Sequence, residues 1–230
     1  MLNLEIIAAS LPLYFSGAVV TLKLLLVALW AGLAVAIPLA VMRASPNPWI
    51  SRPVWLFTYV FRGTPLLVQL FLIYYGLAQF AWLRESMLWP MFSSAWFCAM
   101  LAFAINTCAY TTEIIAGAIL ATNHGEVEAA RAMGMSPSTL YRRILLPSAL
   151  RRSLPAYSNE VIMMLHGTSL ASIVTLLDIT GAAREINSRF YLPFEAFVTA
   201  AVFYLALTFV LVSLFHLAEK RWLAHLAPRT

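Results

Sequence analysis

Residues 13–42 read LYFSGAVVTLKLLLVALWAGLAVAIPLAVM, and Lys23 is the one charged side chain among them. An α-helix rises about 1.5 Å per residue, so about 20 apolar residues cross the hydrocarbon layer of a bilayer, which is roughly 30 Å thick. Lipid cannot satisfy backbone polar groups, whereas an α-helix satisfies them within its own segment. This stretch therefore predicts a transmembrane helix.

The same pattern recurs along the chain. Of 230 residues, 62% are hydrophobic and 11% are charged, which is more apolar surface than a soluble domain of this length buries. We therefore predict an all-α, polytopic membrane helical bundle with about five transmembrane helices, folded as one domain over residues 1–230. Besides the span at 13–42, the predicted spans cover roughly residues 54–80, 95–118, 154–176 and 194–217.

The basic residues between the spans predict the orientation. Residues 43–53, 119–153 and 218–230 are rich in Arg and Lys, whereas residues 81–94 and 177–193 hold three Arg that acidic neighbours balance. Cytoplasmic loops of membrane proteins carry the excess of Lys and Arg. The first three segments are therefore predicted to be cytoplasmic, which places the N-terminus outside and the C-terminus in the cytoplasm. These loops also account for the net charge of +5, so that charge does not indicate nucleic-acid binding.

The longest polar segment, residues 124–147, predicts two short helices joined at an angle. Glu128 favours the N-terminal part of the first helix, and Gly134 suits the left-handed residue just past its end. Ser136 is predicted to cap the second helix and Pro147 to stop it. The small apolar side chains near the bend suit a groove on another protein, although an ordinary amphipathic connector has the same composition.

Residue order distinguishes these alternatives. The string Glu128-Ala-Ala-Arg-Ala-Met-Gly134, followed by Ile144-Leu-Leu-Pro147, resembles the EAA loop of ABC importer permeases, in which a short coupling helix docks on the ATP-hydrolysing subunit. The likeness extends to the polar amino acid permease family and, within it, to the M-type membrane subunits of histidine/lysine/arginine/ornithine importers. It is carried by Phe61-Arg-Gly-Thr-Pro-Leu-Leu-Val-Gln69, Asn106-Thr-Cys-Ala-Tyr-Thr-Thr-Glu113 and Tyr157-Ser-Asn-Glu-Val161, and by residues 147–160 and 218–222.

The resemblance implies a type I ABC importer permease fold with a cytoplasmic coupling helix, surrounded by lipid in a bacterial inner membrane. As partners it implies a homologous Q-type permease subunit in a heterodimer, two ATPase subunits and a periplasmic substrate-binding protein. It also implies import of cationic amino acids (arginine, ornithine, lysine, histidine), with another polar amino acid or an opine as the alternative. The resemblance assigns ATPase coupling to Glu128, Ala129, Ala130, Arg131, Met133 and Gly134.

The chain lacks the motifs of an enzyme. It has no Gly-x-x-x-x-Gly-Lys phosphate loop, no Ser or Cys nucleophile paired with a base, and no His, Cys and carboxylate set at metal-ligand spacing. We expect no catalytic residue, metal or cofactor in this chain, with ATP and Mg bound by the partner ATPase. An ion-coupled secondary transporter or a non-transporting membrane scaffold is the alternative of a different class, supported only by the intramembrane carboxylates.

Two ionisable side chains are predicted to lie at matching depth in neighbouring spans. Counted at about 1.5 Å per residue, Arg62 lies about 13 Å and Glu113 about 10 Å from the cytoplasmic end of its span. A charge in the bilayer core needs a partner, so we predict a structural ion pair between them in preference to a substrate role. Beyond Arg62, Pro65 offers no N–H to the carbonyl of Phe61, so Gly63-Thr-Pro65 either lines a cavity or only kinks the helix.

Glu160 is predicted to bind the substrate, because no cation is evident for it in the chain. It lies about 12 Å inside the membrane, counted from Arg152. The side-chain cation of lysine, arginine, ornithine or histidine would supply the partner, and nearby polar side chains would add hydrogen bonds. The alternatives are that Glu160 caps a helix or pairs with an Arg of the partner permease. The predicted substrate-binding residues are Glu160, Asn106, Asn159, Tyr157 and Thr64.

Overall fold

The structure is a computed structural model that describes residues 4–222. Residues 1–3 and 223–230 of the predicted domain 1–230 lie outside the described residues, as does Arg229 of the basic segment 218–230. The described part is helical and contains no β-strand. Its α-helices are α1 (Leu4–Arg43), α2 (Pro48–Gly63), α3 (Leu66–Phe71), α4 (Ala81–Arg84), α5 (Trp89–Phe92), α6 (Ala95–Leu120), α7 (His124–Ala132), α8 (Pro137–Leu140), α9 (Leu146–Gly167), α10 (Ile179–Phe190) and α11 (Pro193–Trp222). Two π turns (Leu72–Gly76, Tyr141–Leu145) and two 3-10 stretches (Leu77–Gln79, Thr168–Val174) extend them.

Three helices, α1, α6 and α11, are each long and apolar enough to cross a membrane. The other two predicted spans are bent pairs of helices. The stretches Pro48–Gly63 and Leu66–Gln79 meet at 101°, and Pro137–Val174 meets Ile179–Phe190 at 44°. With each bent pair counted as one span, the described residues contain up to five, so the predicted all-α bundle with about five transmembrane helices is confirmed.

Glycines allow α1 to pack tightly against its neighbours. A Cβ atom at Gly32 would lie 2.5 Å from Cγ2 of Thr107 on α6, and one at Gly17 would lie 2.7 Å from the backbone oxygen of Asp178. Helices in lipid gain little from hydrophobic burial against one another, so close approach at small residues is a main source of packing energy. A buried apolar cluster that includes Phe103 and Leu165 then joins α1, α6 and α9. This packing holds α6 and α9 side by side.

Residues 124–147 fold as an elbow of two short helices. α7 ends at Ala132, and Gly134 adopts a φ of +76°, so the predicted left-handed glycine is confirmed. The Ser136 side chain accepts the backbone N–H of Thr139 and caps α8, as predicted. Each end of the bend is therefore held by a residue type suited to that backbone conformation.

The predicted helix stop at Pro147 is wrong. α8 passes without a break through the π turn Tyr141–Leu145 into α9. Pro147 lies in the first turn of α9, directly after the wider hydrogen-bond ring of the π turn, where a missing backbone N–H is tolerated. The elbow is therefore continuous with the helix that carries Asn159 and Glu160.

Candidate functional site

The second predicted span is interrupted at Gly63-Thr-Pro65. α2 ends at Gly63, and Thr64 and Pro65 are extended, with ψ angles of 142° and 136°. Because Pro65 has no N–H, the carbonyl of Phe61 loses its helical partner, as the sequence predicted. The 101° bend that follows is a true break between two helices. The backbone oxygens of residues 61–64 therefore need hydrogen-bond partners other than those of a continuous helix.

Gln69 satisfies the backbone of this break. Its Nε2 donates to the backbone oxygen of Phe61 at 2.7 Å, to the backbone oxygen of Thr64 at 3.1 Å and to the Thr64 hydroxyl at 2.9 Å. Tyr110 contributes from α6, where its hydroxyl donates to the backbone oxygen of Arg62 at 3.3 Å. Sequence reasoning missed Gln69, although a lone amide four residues after a proline in an apolar span was a usable signal.

A cavity of about 830 Å³ opens where the broken span faces α6 and α9. Four of the five predicted substrate-binding residues line it, and the other lining side chains include Ile114, Met163 and Leu170. A few polar groups in a mostly apolar concave wall are the usual form of a small-molecule site. Their role in substrate binding stays a prediction. The predicted residues that line the cavity are Thr64, Asn106, Asn159 and Glu160.

Tyr157, unlike the other four, does not line this cavity, and its predicted role in substrate binding stays a prediction. Its ring packs against the buried cluster of α1, α6 and α9 and lies 6.3 Å from the ring of Phe215 on α11. The prediction relied on Tyr157 lying one turn from Glu160 on the same helix. The side chain of Tyr157 is instead turned towards α11, where a large ring gains more from packing.

The predicted ion pair between Arg62 and Glu113 is also wrong. Glu113 Oε1 lies 2.8 Å from Nε of Arg43, at the end of α1, and it accepts a 2.6 Å hydrogen bond from the Thr58 hydroxyl. Thr58 precedes Arg62 by one turn of α2, so depth was estimated correctly to within a turn. The direction of each side chain around its helix, which a depth count does not give, decided the partner.

The side chain of Arg62 points into the cavity and not towards Glu113. Its guanidinium carbon lies 5.3 Å from the ring centroid of Tyr110, close enough for a cation–π contact. Arg62 is also close enough to act electrostatically on Glu160. The prediction that this chain offers Glu160 no cation is therefore corrected, although the two side chains do not form an ion pair among residues 4–222.

The Glu160 carboxylate is buried but poorly satisfied. Its residue is 8% exposed, and it lines the cavity. Thr107 lies beside it on α6, yet the Thr107 hydroxyl makes no hydrogen bond of ordinary length and angle in the described part of the chain. A buried carboxylate that lacks donors is costly, so this group is chemically suited to a cationic or donor-rich ligand.

The elbow presents a different kind of surface. Met133 is 81% exposed at the bend, and Glu128, Ala129, Arg131 and Gly134 are exposed with it. The sixth predicted coupling residue, Ala130, is 4% exposed, because it packs against Leu140 and Leu145 inside the elbow. Ala130 therefore holds α7 on α8, and its predicted role in ATPase coupling stays a prediction.

Comparisons with known proteins agree with this geometry. The sequence model of the family described as "Binding-protein-dependent transport system inner membrane component" matches residues 32–224. The chain is 53% identical over 215 residues to the histidine/lysine/arginine/ornithine transport system permease protein HisM of Escherichia coli (strain K12), covering 93% of this chain and 90% of that protein. It is 45% identical over 229 residues to the nopaline transport system permease protein NocM of Agrobacterium fabrum (strain C58), covering 99% of this chain and 95% of that protein.

A solved structure supports the same assignment. A crystal structure of an amino acid ABC transporter with histidines matches with a TM-score of 0.85 and 35% identity, over 96% of this chain and 99% of that chain. An ion-coupled secondary transporter or a non-transporting scaffold agrees with none of these matches. The chain therefore belongs to the family of binding-protein-dependent transport system inner membrane components and is a multi-pass membrane permease subunit of the ABC transporter type.

Proposed function

We propose that this permease subunit imports cationic amino acids through the cavity beside the broken helix, and that Glu160 binds the side-chain cation. The observation that carries the proposal is the buried Glu160 carboxylate, which lines the cavity and is left without a hydrogen bond or ion pair of ordinary geometry in the described residues. A bound cation would stabilise such a carboxylate. A relative whose name gives histidine, lysine, arginine and ornithine as its cargo supports the cationic class.

Arg62 supplies the second charge of the proposed site. Every amino acid carries an α-carboxylate, and a guanidinium binds carboxylates through two parallel hydrogen bonds. Arg62 lines the same cavity as Glu160 and takes part in no ion pair among the described residues. Thr64, Asn106 and Asn159 add hydrogen-bonding groups. An amino acid with a cationic side chain would thus find a charged partner for its side chain and another for its α-carboxylate.

The proposed assembly is that of an ABC importer. It combines this chain with a homologous Q-type permease, two ATPase subunits that bind ATP and Mg, and a periplasmic substrate-binding protein. The basic segments at residues 43–53 and 119–153 support a cytoplasmic elbow in a bacterial inner membrane, with the N-terminus periplasmic and the C-terminus cytoplasmic. The 45% identical nopaline relative makes an opine the alternative substrate class.

Glu160→Gln tests the substrate role. A charge-assisted contact is worth about 1.5–3 kcal/mol, so we expect the arginine affinity of the purified membrane complex to fall roughly ten- to a hundredfold. Citrulline resembles arginine in shape but carries no side-chain charge, so its affinity should change much less. Binding is measured directly on the membrane complex, because the periplasmic binding protein would apply its own filter.

The matched control is Met163→Leu, which alters an apolar wall residue of the same cavity. It should leave the ratio of arginine affinity to citrulline affinity unchanged, and both variants should assemble with normal thermal stability. Equal losses for arginine and citrulline after Glu160→Gln, or no loss for either, contradict the proposal. A preference of the wild-type complex for nopaline over arginine would favour the opine alternative.

We also propose that the exposed side of the elbow docks on the ATPase. Met133 is the most exposed apolar side chain there, so an apolar groove on the ATPase is the partner that its chemistry fits. Met133→Asp should leave arginine affinity intact and lower transport roughly tenfold or more, since a charge in an apolar contact costs about 2 kcal/mol or more. Met133→Leu, which keeps an apolar side chain, is the control. ATPase activity that still responds to substrate-loaded binding protein in Met133→Asp would contradict docking at this residue.

A further inference from the structure

Two buried amide side chains connect the broken helix with the cavity. Gln69, on α3, lies at the break, and Asn106, on α6, lines the cavity. Nδ2 of Asn106 donates to Oε1 of Gln69 at 3.1 Å. An amide has a donor end and an acceptor end, so the direction in which one of them is held determines the direction of the next.

The direction of the Gln69 amide is forced by its surroundings. Its Nε2 faces the backbone oxygens of Phe61 and Thr64, which can only accept hydrogen bonds. The third neighbour, the Thr64 hydroxyl, gives its own proton to the backbone oxygen of Val60 at 2.9 Å and so accepts as well. Three acceptors require the NH₂ group at this end, and Oε1 of Gln69 must therefore face Asn106.

This direction is passed on to Asn106. Because Oε1 of Gln69 is an acceptor, Asn106 must turn its NH₂ group towards it, which directs Oδ1 of Asn106 away from Gln69. Within residues 4–222 no donor reaches that oxygen at hydrogen-bond distance, and Asn106 lines the cavity. The reversed amide would set two acceptors against each other and leave Gln69 without its bond.

We propose that Gln69 is a positioning residue that holds Asn106 as a hydrogen-bond acceptor towards the cavity, so that Asn106 and Glu160 together favour ligand groups that only donate. This inference rests on the function proposed above and deepens it. The guanidinium of arginine and the ammonium of lysine offer donors alone, whereas the ureido group of citrulline and the amide of glutamine also carry an acceptor oxygen. The site therefore discriminates through hydrogen-bond polarity as well as through charge.

The test compares arginine and citrulline affinity on the purified membrane complex for Gln69→Met, Asn106→Ala and the double variant. In Gln69→Met the Asn106 amide is free to turn its NH₂ group to the ureido oxygen, and in Asn106→Ala the acceptor is absent. We expect each single variant to lower the ratio of arginine affinity to citrulline affinity by roughly three- to tenfold. The double variant should lower the ratio no further than Asn106→Ala does, because Gln69 acts through Asn106.

Val68→Met, which adds bulk on the same short helix, is the control and should leave the ratio unchanged. A Gln69→Met variant that weakens both ligands equally, or a double variant whose ratio falls by the product of the single effects, overturns the inference. If Gln69→Met does not assemble, the test rests on Asn106→Ala. An unchanged ratio of arginine affinity to citrulline affinity in that variant then overturns the inference. Glu160→Gln in the same assay separates this inference from the proposed function. If arginine affinity is unchanged in Glu160→Gln, the proposed function itself is contradicted.

Discussion

Two buried carboxylates, Asp178 and Glu160, lie in the same bundle but in opposite chemical situations. Asp178 is 0% exposed, and its oxygens accept the backbone N–H of Gly181 at 2.9 Å, the backbone N–H of Thr180 at 3.2 Å and the hydroxyl of Tyr204 at 3.0 Å. Glu160 is nearly as buried, at 8%, but among residues 4–222 its neighbours are one hydroxyl, that of Thr107, and the charge of Arg62, and no backbone N–H caps it. Burial alone therefore does not distinguish a structural carboxylate from one that is suited to a ligand, whereas the number of donors around it does.

Asp178, whose oxygens all accept hydrogen bonds, stabilises the fold. Asp178 caps the N-terminus of α10, and through Tyr204 it connects α10 with α11. Gly17 of α1 packs directly against its backbone, so three helices meet at this residue. Removal of the side chain would leave the backbone N–H groups of Thr180 and Gly181 without this acceptor, whereas the Tyr204 hydroxyl would retain the Thr180 hydroxyl as a partner.

Loss of the Asp178 side chain should therefore impair folding. Asp178→Ala should lower the free energy of unfolding by about 3 kcal/mol, because a helix cap is lost and buried donors are left unpaired. Asp178→Asn keeps an oxygen for the cap and should cost clearly less. The measurement is the apparent melting temperature and the yield of assembled complex in detergent, with Glu160→Ala as the matched removal of the unsatisfied carboxylate.

A Glu160→Ala variant that destabilises the complex as strongly as Asp178→Ala contradicts this contrast between the two carboxylates. That result would mean that Glu160 has structural donors in the assembled transporter, for example from the partner permease. A stable Asp178→Ala variant would show instead that the cap of α10 contributes little to the fold. Arginine affinity gives the converse readout, since Glu160→Ala should lower it and Asp178→Asn should not.

Local backbone features of this chain were predictable from the sequence. The left-handed conformation at Gly134 and the helix break at Pro65 follow from the missing Cβ of one residue and the missing N–H of the other. The long apolar spans likewise follow from composition, because lipid leaves the backbone few alternatives to a helix. These features depend on one residue or one segment and need no knowledge of the neighbours.

The pairing of side chains was less predictable, because it depends on direction around each helix. A depth count placed Arg62 level with Glu113, yet one turn of α2 brings Thr58 to Glu113 and leaves Arg62 at the cavity. Ala130 is inside the elbow because α8 folds over α7, which the order of small residues does not reveal. The sequence singled out Glu160 because an intramembrane carboxylate needs a partner, and the structure places it at a cavity; its role in substrate binding stays a prediction.

Glu113 is a third carboxylate, and its surroundings are intermediate between those of Asp178 and Glu160. Its carboxylate has one charged partner, Arg43, and one hydroxyl partner, Thr58. The Arg43 and Glu113 side chains are 24% and 21% exposed, so solvent screens the pair in part. Arg43 also bonds to Ser51 at the start of α2, so the pair ties α1, α2 and α6 together.

The coupling energy between Arg43 and Glu113 should be small. In a double-mutant cycle with Arg43→Gln and Glu113→Gln, we expect about 1 kcal/mol of favourable coupling in the free energy of unfolding, because each single change leaves a partly buried charge unpaired. The same cycle with Arg62→Gln and Glu113→Gln is the control, and its effects should add to within about 0.5 kcal/mol, since Arg62 faces the cavity. Strong coupling in the Arg62 cycle and additivity in the Arg43 cycle would restore the pair that the depth count predicted. Glu113 would then neutralise Arg62, and the cavity would lose the guanidinium proposed to bind the substrate carboxylate.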